Sequence, residues 1–178
     1  MTSTTRPPEQ GAAPLANLNV TTAGAYERLR LLQNAKTIAM VGLSADPMRP
    51  SHFAAIYMQS EGYDIIPVNP RQAGQEILGQ RVYASLLDIP KDRKIDIVDV
   101  FRKPEDVPAV LDEALQIGAP VFWMQLGIFN EDAAARARAA GMDVVMNRCV
   151  KIEHARFFGG LNLVGMNTGV ITSKRTIS

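Results

Sequence analysis

The sequence is most informative first in what it lacks. One cysteine, Cys149, stands among 178 residues, so no intrachain disulfide can form, which fits a reducing cytosol. Charge of one sign is also missing. Lys and Arg number 19 against 18 Asp and Glu, for a net charge of +1. No bulk field then draws in nucleic acid or a membrane surface, and any anion site must be local. No stretch approaches the roughly 20 apolar residues that cross a bilayer. Residues 1–20 contain no apolar signal core and are expected to be a flexible tail. Zinc spacing, a Walker loop, a nucleophile elbow and paired catalytic carboxylates are absent as well. The expectation is a cytoplasmic protein with neither nucleic-acid nor membrane partners, and with a homodimer as the default assembly.

What is present alternates. A helix is expected over 22–36, with Thr22 as cap and Tyr26, Leu29 and Leu32 on one face. "TIAMVGL" (37–43) reads as a buried strand, and "SHFAAIYMQSEG" (51–62) as a helix capped by Ser51 and stopped at Gly62. "YDIIPVNP" (63–70) is a second strand, and 71–92 a long connection with a small extended piece. "KIDIVDVF", "PVFWMQLG" and "MDVVMN" are three more strands, separated by helices at 103–119 and 130–141. "RCVKIEHAR" closes the domain as a short helix. Near-continuous apolar strands alternating with helices specify an α/β fold: a Rossmann-like, doubly wound, mainly parallel sheet in three α/β/α layers. The domain is expected over 21–158, with 159–178 as a C-terminal extension.

Such sheets hold ligands beyond the carboxyl ends of their strands, and four loops lie there. In "GLSADPMRPS", Gly42 permits a tight turn. Ser44 and Ser51 supply hydroxyls, Arg49 a charge, and the next helix its free N–H groups. Any α/β protein needs such a turn, so this loop alone favours phosphate only slightly. "PVNPR" ends the second strand without the acid that holds an NAD ribose, and the G-x-G-x-x-G fingerprint is absent. Arg71 can instead meet a phosphate, which keeps NADP or a phosphorylated ribose open. "FRKPEDVP" offers the cations Arg102 and Lys103, with Phe101, Val107 and Pro108 as an apolar wall. In "WMQLG", Gly127 frees the backbone and Gln125 both donates and accepts, while Trp123 belongs to the core. Phosphate donors beside an apolar slot suit a nucleotide with an extended phosphate chain.

The runs "TIAMVGLSADPMRPSH", "GYDIIPVNPR", "ILGQRVYASLLDIP", "IDIVDVFRKPEDVP", "VFWMQLG" and "VVMNRCVKIEH", in this order across about residues 22–157, resemble the small bacterial CoA-binding domain family. That family is related to the N-terminal domain of the succinyl-CoA synthetase alpha subunit. The resemblance implies a Rossmann-type sheet that binds coenzyme A at the carboxyl ends of its strands, and the expected function is a non-catalytic binding or regulatory module for coenzyme A or an acyl-CoA. It implies Gly42, Leu43, Ser44, Arg49 and Ser51 at the phosphates, and Asn69, Pro70 and Arg71 at the adenosine 3′-phosphate. Phe101, Arg102 and Pro104 would then border adenine and ribose, with Gln125 and Gly127 at the pantetheine arm. The synthetase also carries a phosphorylated histidine on a Gly-rich loop of a second domain; no such loop is read here and His154 sits in "KIEH", a different context, so ligase chemistry is not expected.

Reactive groups are few. Cys149, between Arg148 and Lys151, can act on CoA's thiol or on an acyl-CoA, although a buried inert cysteine is commoner. His154 is more often a packed residue than a base, and its spacing of five from Cys149 does not suit a dyad. His52 either meets a phosphate or caps its helix. Two alternatives to a CoA module therefore stand: an NADP-dependent oxidoreductase, and an acyl-CoA or CoA-disulfide enzyme using Cys149.

Overall fold

The structure is a computed structural model that describes residues 23–159. The expected N-terminal tail, the Thr22 cap and nearly all of the C-terminal extension lie outside the described residues. Five strands form one parallel sheet: β1 (Thr37–Val41), β2 (Asp64–Val68), β5 (Ile97–Val100), β6 (Val121–Met124) and β7 (Asp143–Val145). Their spatial order is β2-β1-β5-β6-β7, and every neighbouring pair is parallel. The short antiparallel pair β3 (Glu76–Ile77) and β4 (Gln80–Arg81) accounts for the small extended piece in the 71–92 connection.

The strands read as apolar runs because both of their faces are covered. Ala39, Val41, Val98, Val100, Phe122 and Met124 share one core. Helices α3 (Val107–Gln116) and α4 (Glu131–Ala139) cover it with Val107, Leu111, Ala114, Ala133, Ala134 and Ala137. The alternate residues Ile38, Met40, Ile65, Ile97, Trp123 and Val145 fill a second core. It lies beneath α1 (Ala25–Asn34), α2 (Pro50–Ser60) and α5 (Val150–Phe158). Side chains alternate across a strand, so two apolar faces need apolar residues at nearly every position. The α/β/α reading of the sequence therefore holds.

Local expectations differ at two helices. In α1 the buried residues are Arg28, Leu31 and Leu32, while Tyr26 is 78% exposed. The Arg28 guanidinium is buried because Glu153 of α5 accepts from its Nε at 2.8 Å. The cap of α1 is Gly24, whose N–H donates to the Glu27 carboxylate. In α2 the N-cap is Arg49 and Pro50 opens the first turn, so Ser51 lies inside the helix. Proline needs no donor partner at that position, which moves the start back from the serine.

Candidate functional site

The loops that follow all five strands of the sheet line one cleft of about 780 Å³. The chain leaves β1 for β2 on one side and returns to β5 on the other, so the β1 and β5 loops part there. A doubly wound sheet presents its ligand crevice at this switch point, and the cleft's volume is in the range of small-molecule sites.

Gly42 opens the site. Its φ is +91°, its N–H donates to the Val68 carbonyl at 2.7 Å, and a Cβ there would lie 2.4 Å from the Phe101 carbonyl oxygen. Only glycine lets the β1 loop pass this close to the β5 loop. The loop then folds on its own polar atoms. The Ser44 N–H donates to Ser51 Oγ at 3.2 Å, and Ser44 Oγ accepts from the Asp46 N–H at 3.1 Å. His52 Nδ1 lies 2.8 Å from the Ser44 carbonyl. The carbonyl can only accept, so this nitrogen carries the hydrogen and His52 braces the loop. His52 does not line the cleft.

At the β2 end, Asn69 serves as a brace. Its Nδ2 donates to the Leu43 carbonyl at 2.9 Å and to Gln72 Oε1 at 3.2 Å, and its Oδ1 accepts from the Arg71 N–H at 3.1 Å. Gln72 Oε1 also accepts from the Ala45 N–H at 3.1 Å. Arg71 is exposed, and among the described residues its guanidinium carries no ion pair. The other cations are lightly engaged: Arg49 lies 3.7 Å from Asp46, Arg102 3.0 Å from Asp106, and Lys103 3.8 Å from Glu105. Exposed pairs of this kind are weak and yield readily to an incoming phosphate.

The far end of the cleft is uncharged, lined by Gln125, Leu126, Ile128 and Cys149. Behind it lies Asp99 of β5, fully buried, whose two carboxyl oxygens accept from Gln125 Nε2 at 2.7 and 2.9 Å. Burial pushes the Asp99 carboxyl up to about 8, and the Gln125 amide pulls it part of the way back. The Cys149 thiol is half-buried. Its pKa is raised, chiefly by burial and further by the Asp99 charge, while the first-turn N–H groups of α5 oppose the shift.

Of the residues expected at a ligand, Gly42, Ser44, Arg49, Ser51, Asn69, Arg71, Phe101, Arg102, Pro104 and Gln125 line this one cleft. Three do not. Leu43 is fully buried in the α1/α2/α5 core and offers the site only its carbonyl, already taken by Asn69. Pro70 opens a 3-10 turn over Pro70–Gln72 with its ring outside the cleft. Gly127 is exposed and its N–H donates to Asn147 Oδ1 at 2.8 Å. Sequence reasoning missed Pro50, Gln72, Leu126 and Ile128 in the lining and Asp99 behind it. The signal for Asp99 was a lone acid inside the apolar run "IVDV". His154 lies apart, beside a separate cavity, with Nδ1 3.1 Å from the Tyr57 hydroxyl and its ring stacked on Phe158 at 4.4 Å. Among the described residues no helix is long and apolar enough to cross a membrane, and no group of three His, Cys, Asp or Glu is placed to hold a metal.

The family model described as "CoA binding domain" matches residues 36–155, and the chain belongs to that family. It is 47% identical to the Bacillus subtilis (strain 168) protein YneT over 125 residues, which is 70% of this chain and 90% of YneT. It is 34% identical over 97 residues to the alpha subunit of the ADP-forming acetate–CoA ligase I of Pyrococcus furiosus. That match takes in 52% of this chain but only 21% of the ligase subunit. Among solved structures, cell-free ID.343 from Thermus thermophilus superposes with a TM-score of 0.73 at 39% identity, covering 76% of this chain and all of that one.

Proposed function

We propose that this chain binds coenzyme A, or an acyl-CoA, along the cleft as a cytoplasmic binding or regulatory module that carries out no ligase step. The supporting observation is the cleft's polarity in a member of a CoA binding domain family. Arg49, Arg71, Arg102 and Lys103 gather beyond β1, β2 and β5, and the neutral wall of Gln125, Leu126 and Ile128 lies beyond β6. CoA has the same polarity, with a diphosphate and a 3′-phosphate at one end and an uncharged pantetheine arm at the other. The cations and the Ser44 and Ser51 hydroxyls meet the phosphates, Phe101 and Pro104 border the adenosine, and Gln125 meets the arm's amides. The binding unit is taken as residues 21–158. The ligase relative supports this reading over only about a fifth of its own length, so its ligase activity is not carried over.

A thermal-shift series with CoA, dephospho-CoA, acetyl-CoA, NADPH and NAD tests this. A ligand at about a hundred times its dissociation constant adds roughly 2.7 kcal/mol to stability. The expected order is CoA and acetyl-CoA above dephospho-CoA, with both nicotinamide cofactors weakest. NADPH as the strongest stabiliser would overturn the reading in favour of an oxidoreductase.

A further inference from the structure

The neutral end of the cleft holds the chain's one thiol, at a point where the ligand's polarity gives it a meaning. The sheet order sets the direction: cations stand beyond β2, β1 and β5, the neutral wall beyond β6, and Cys149 after β7. Cys149, at the start of α5, shares the cleft lining with Gln125, Leu126 and Ile128. A ligand anchored at its phosphates by Arg71 and Arg102 and lying along the cleft brings its other end to this wall. In CoA that end is a thiol. A second observation lies behind the wall. Asp99 is fully buried, an expensive place for a carboxyl, and the Gln125 amide that holds it is itself part of the cleft lining. A polar pair buried in an otherwise apolar strand layer is a cost that packing alone does not require.

We propose that Cys149 captures the thiol end of CoA covalently, as a mixed disulfide formed inside the cleft; this rests on the CoA reading above. The co-reactant is a CoA-bearing disulfide. The Cys149 sulfur attacks the CoA-side sulfur, a new S–S bond forms between Cys149 and CoA, and the original S–S bond breaks. The displaced thiolate takes up the proton that Cys149 has lost to solvent. Cys149 is oxidised, the leaving thiol is reduced, and no other electron carrier is needed.

The surroundings make the capture selective. Burial raises the pKa of the thiol and so favours its protonated form at neutral pH, so disulfides arriving from bulk solvent react slowly. A disulfide already seated by its phosphates gains a high effective concentration at the sulfur, and the reaction with it is accelerated.

The test is intact-mass kinetics on the native, full-length chain. Cys149 is the chain's only cysteine, so the information lies in selectivity and not in the site of modification. Equal concentrations of CoA disulfide and glutathione disulfide are compared near pH 7.5. The expected result is an adduct of one CoA less two hydrogens, reversed by dithiothreitol. It should form at least about tenfold faster than the glutathione adduct. Excess adenosine 3′,5′-bisphosphate, which shares the anionic end but has no thiol, should slow it. Equal rates for the two disulfides would overturn the proposal. So would the absence of a CoA adduct on native protein that takes one up readily in urea. A parallel thermal shift with reduced CoA separates the two ideas. A shift without selective adduct formation ends the capture and leaves binding standing, whereas neither result ends both.

Discussion

Gln125 Nε2 donates to both carboxyl oxygens of Asp99, at 2.7 and 2.9 Å, across the paired ends of β5 and β6. The pair joins the cleft wall to the interior of the sheet, and it makes stability depend on pH. Burial raises Asp99 to about 8, whereas in an unfolded chain an aspartate titrates near 3.9. Between these values the native state keeps a proton that the unfolded state has released. Stability therefore falls as pH rises through that window and levels off above it. Asn at this position cannot titrate. In urea unfolding at about pH 5 and about pH 8, Asp99→Asn should improve relative to wild type by an amount on the order of a few kcal/mol. An identical change with pH in both proteins would refute the assignment.

Two glycines with similar backbone angles should respond differently to alanine. Gly42 has φ +91°, with the Phe101 carbonyl oxygen 2.4 Å from where a Cβ would sit. Gly127 has φ +84° and nothing within 4 Å of that position. Gly127→Ala should cost about 1 kcal/mol from left-handed strain alone. Gly42→Ala adds a backbone collision that pushes the β1 and β5 loops apart, so it should cost about 3 kcal/mol or more and abolish the thermal shift with CoA. Denaturant midpoints with and without CoA read both effects.

The fold was legible because the strands are buried on both faces. An apolar run such as Ile38–Val41 leaves few alternatives, and Asn130 and Gly141 mark the ends of the α4 segment by ordinary capping chemistry. Membership of the cleft lining was legible where residue type and loop position suffice, as with Gly42, Arg49 and Arg71. It was not legible where tertiary partners decide. Arg28 is buried rather than Tyr26 because Glu153, 125 residues away, neutralises it. Leu43 turns into the Met40 core although alternation from Ala39 and Val41 would point it at the other one, because Gly42, at φ +91°, breaks the strand period between them. Gln72 joins the lining through a side chain that no local pattern ties to Ala45.

The same Arg28–Glu153 contact should be a main fastening of α1. Both side chains are nearly inaccessible, at 6% and 2%, and Arg156 lies 3.4 Å from the other Glu153 oxygen. Glu153→Ala leaves the buried Arg28 guanidinium, and the partly buried one of Arg156, without their carboxylate, and breaking a buried pair typically costs about 3–5 kcal/mol. Arg28→Met, paired with Glu153→Met, removes both charges of the α1–α5 contact and should recover much of that loss. A double-mutant cycle by urea unfolding measures the coupling, and additive costs would show that the pair is not a unit.

The cations of the cleft differ in what they must give up to bind a phosphate, and this orders their contributions. Arg102 is shared with Asp106 at 3.0 Å, whereas Arg71 has no ion pair among the described residues. A phosphate reaching Arg71 displaces only water, while one reaching Arg102 must compete with a carboxylate. Arg71→Ala should therefore weaken CoA by about tenfold or more, roughly 1.4 kcal/mol. Arg102→Ala should weaken it less, and Asp106→Asn should tighten it by freeing the guanidinium. Arg71 is exposed, so its removal should leave the unfolding midpoint of the free protein within about 0.5 kcal/mol of wild type. The measurement is calorimetric titration of CoA and dephospho-CoA at low and high salt. If Arg71 meets the 3′-phosphate, Arg71→Ala should erase the preference of the protein for CoA over dephospho-CoA. A variant that keeps the full preference, at weaker affinity for both ligands, would place Arg71 at the diphosphate instead.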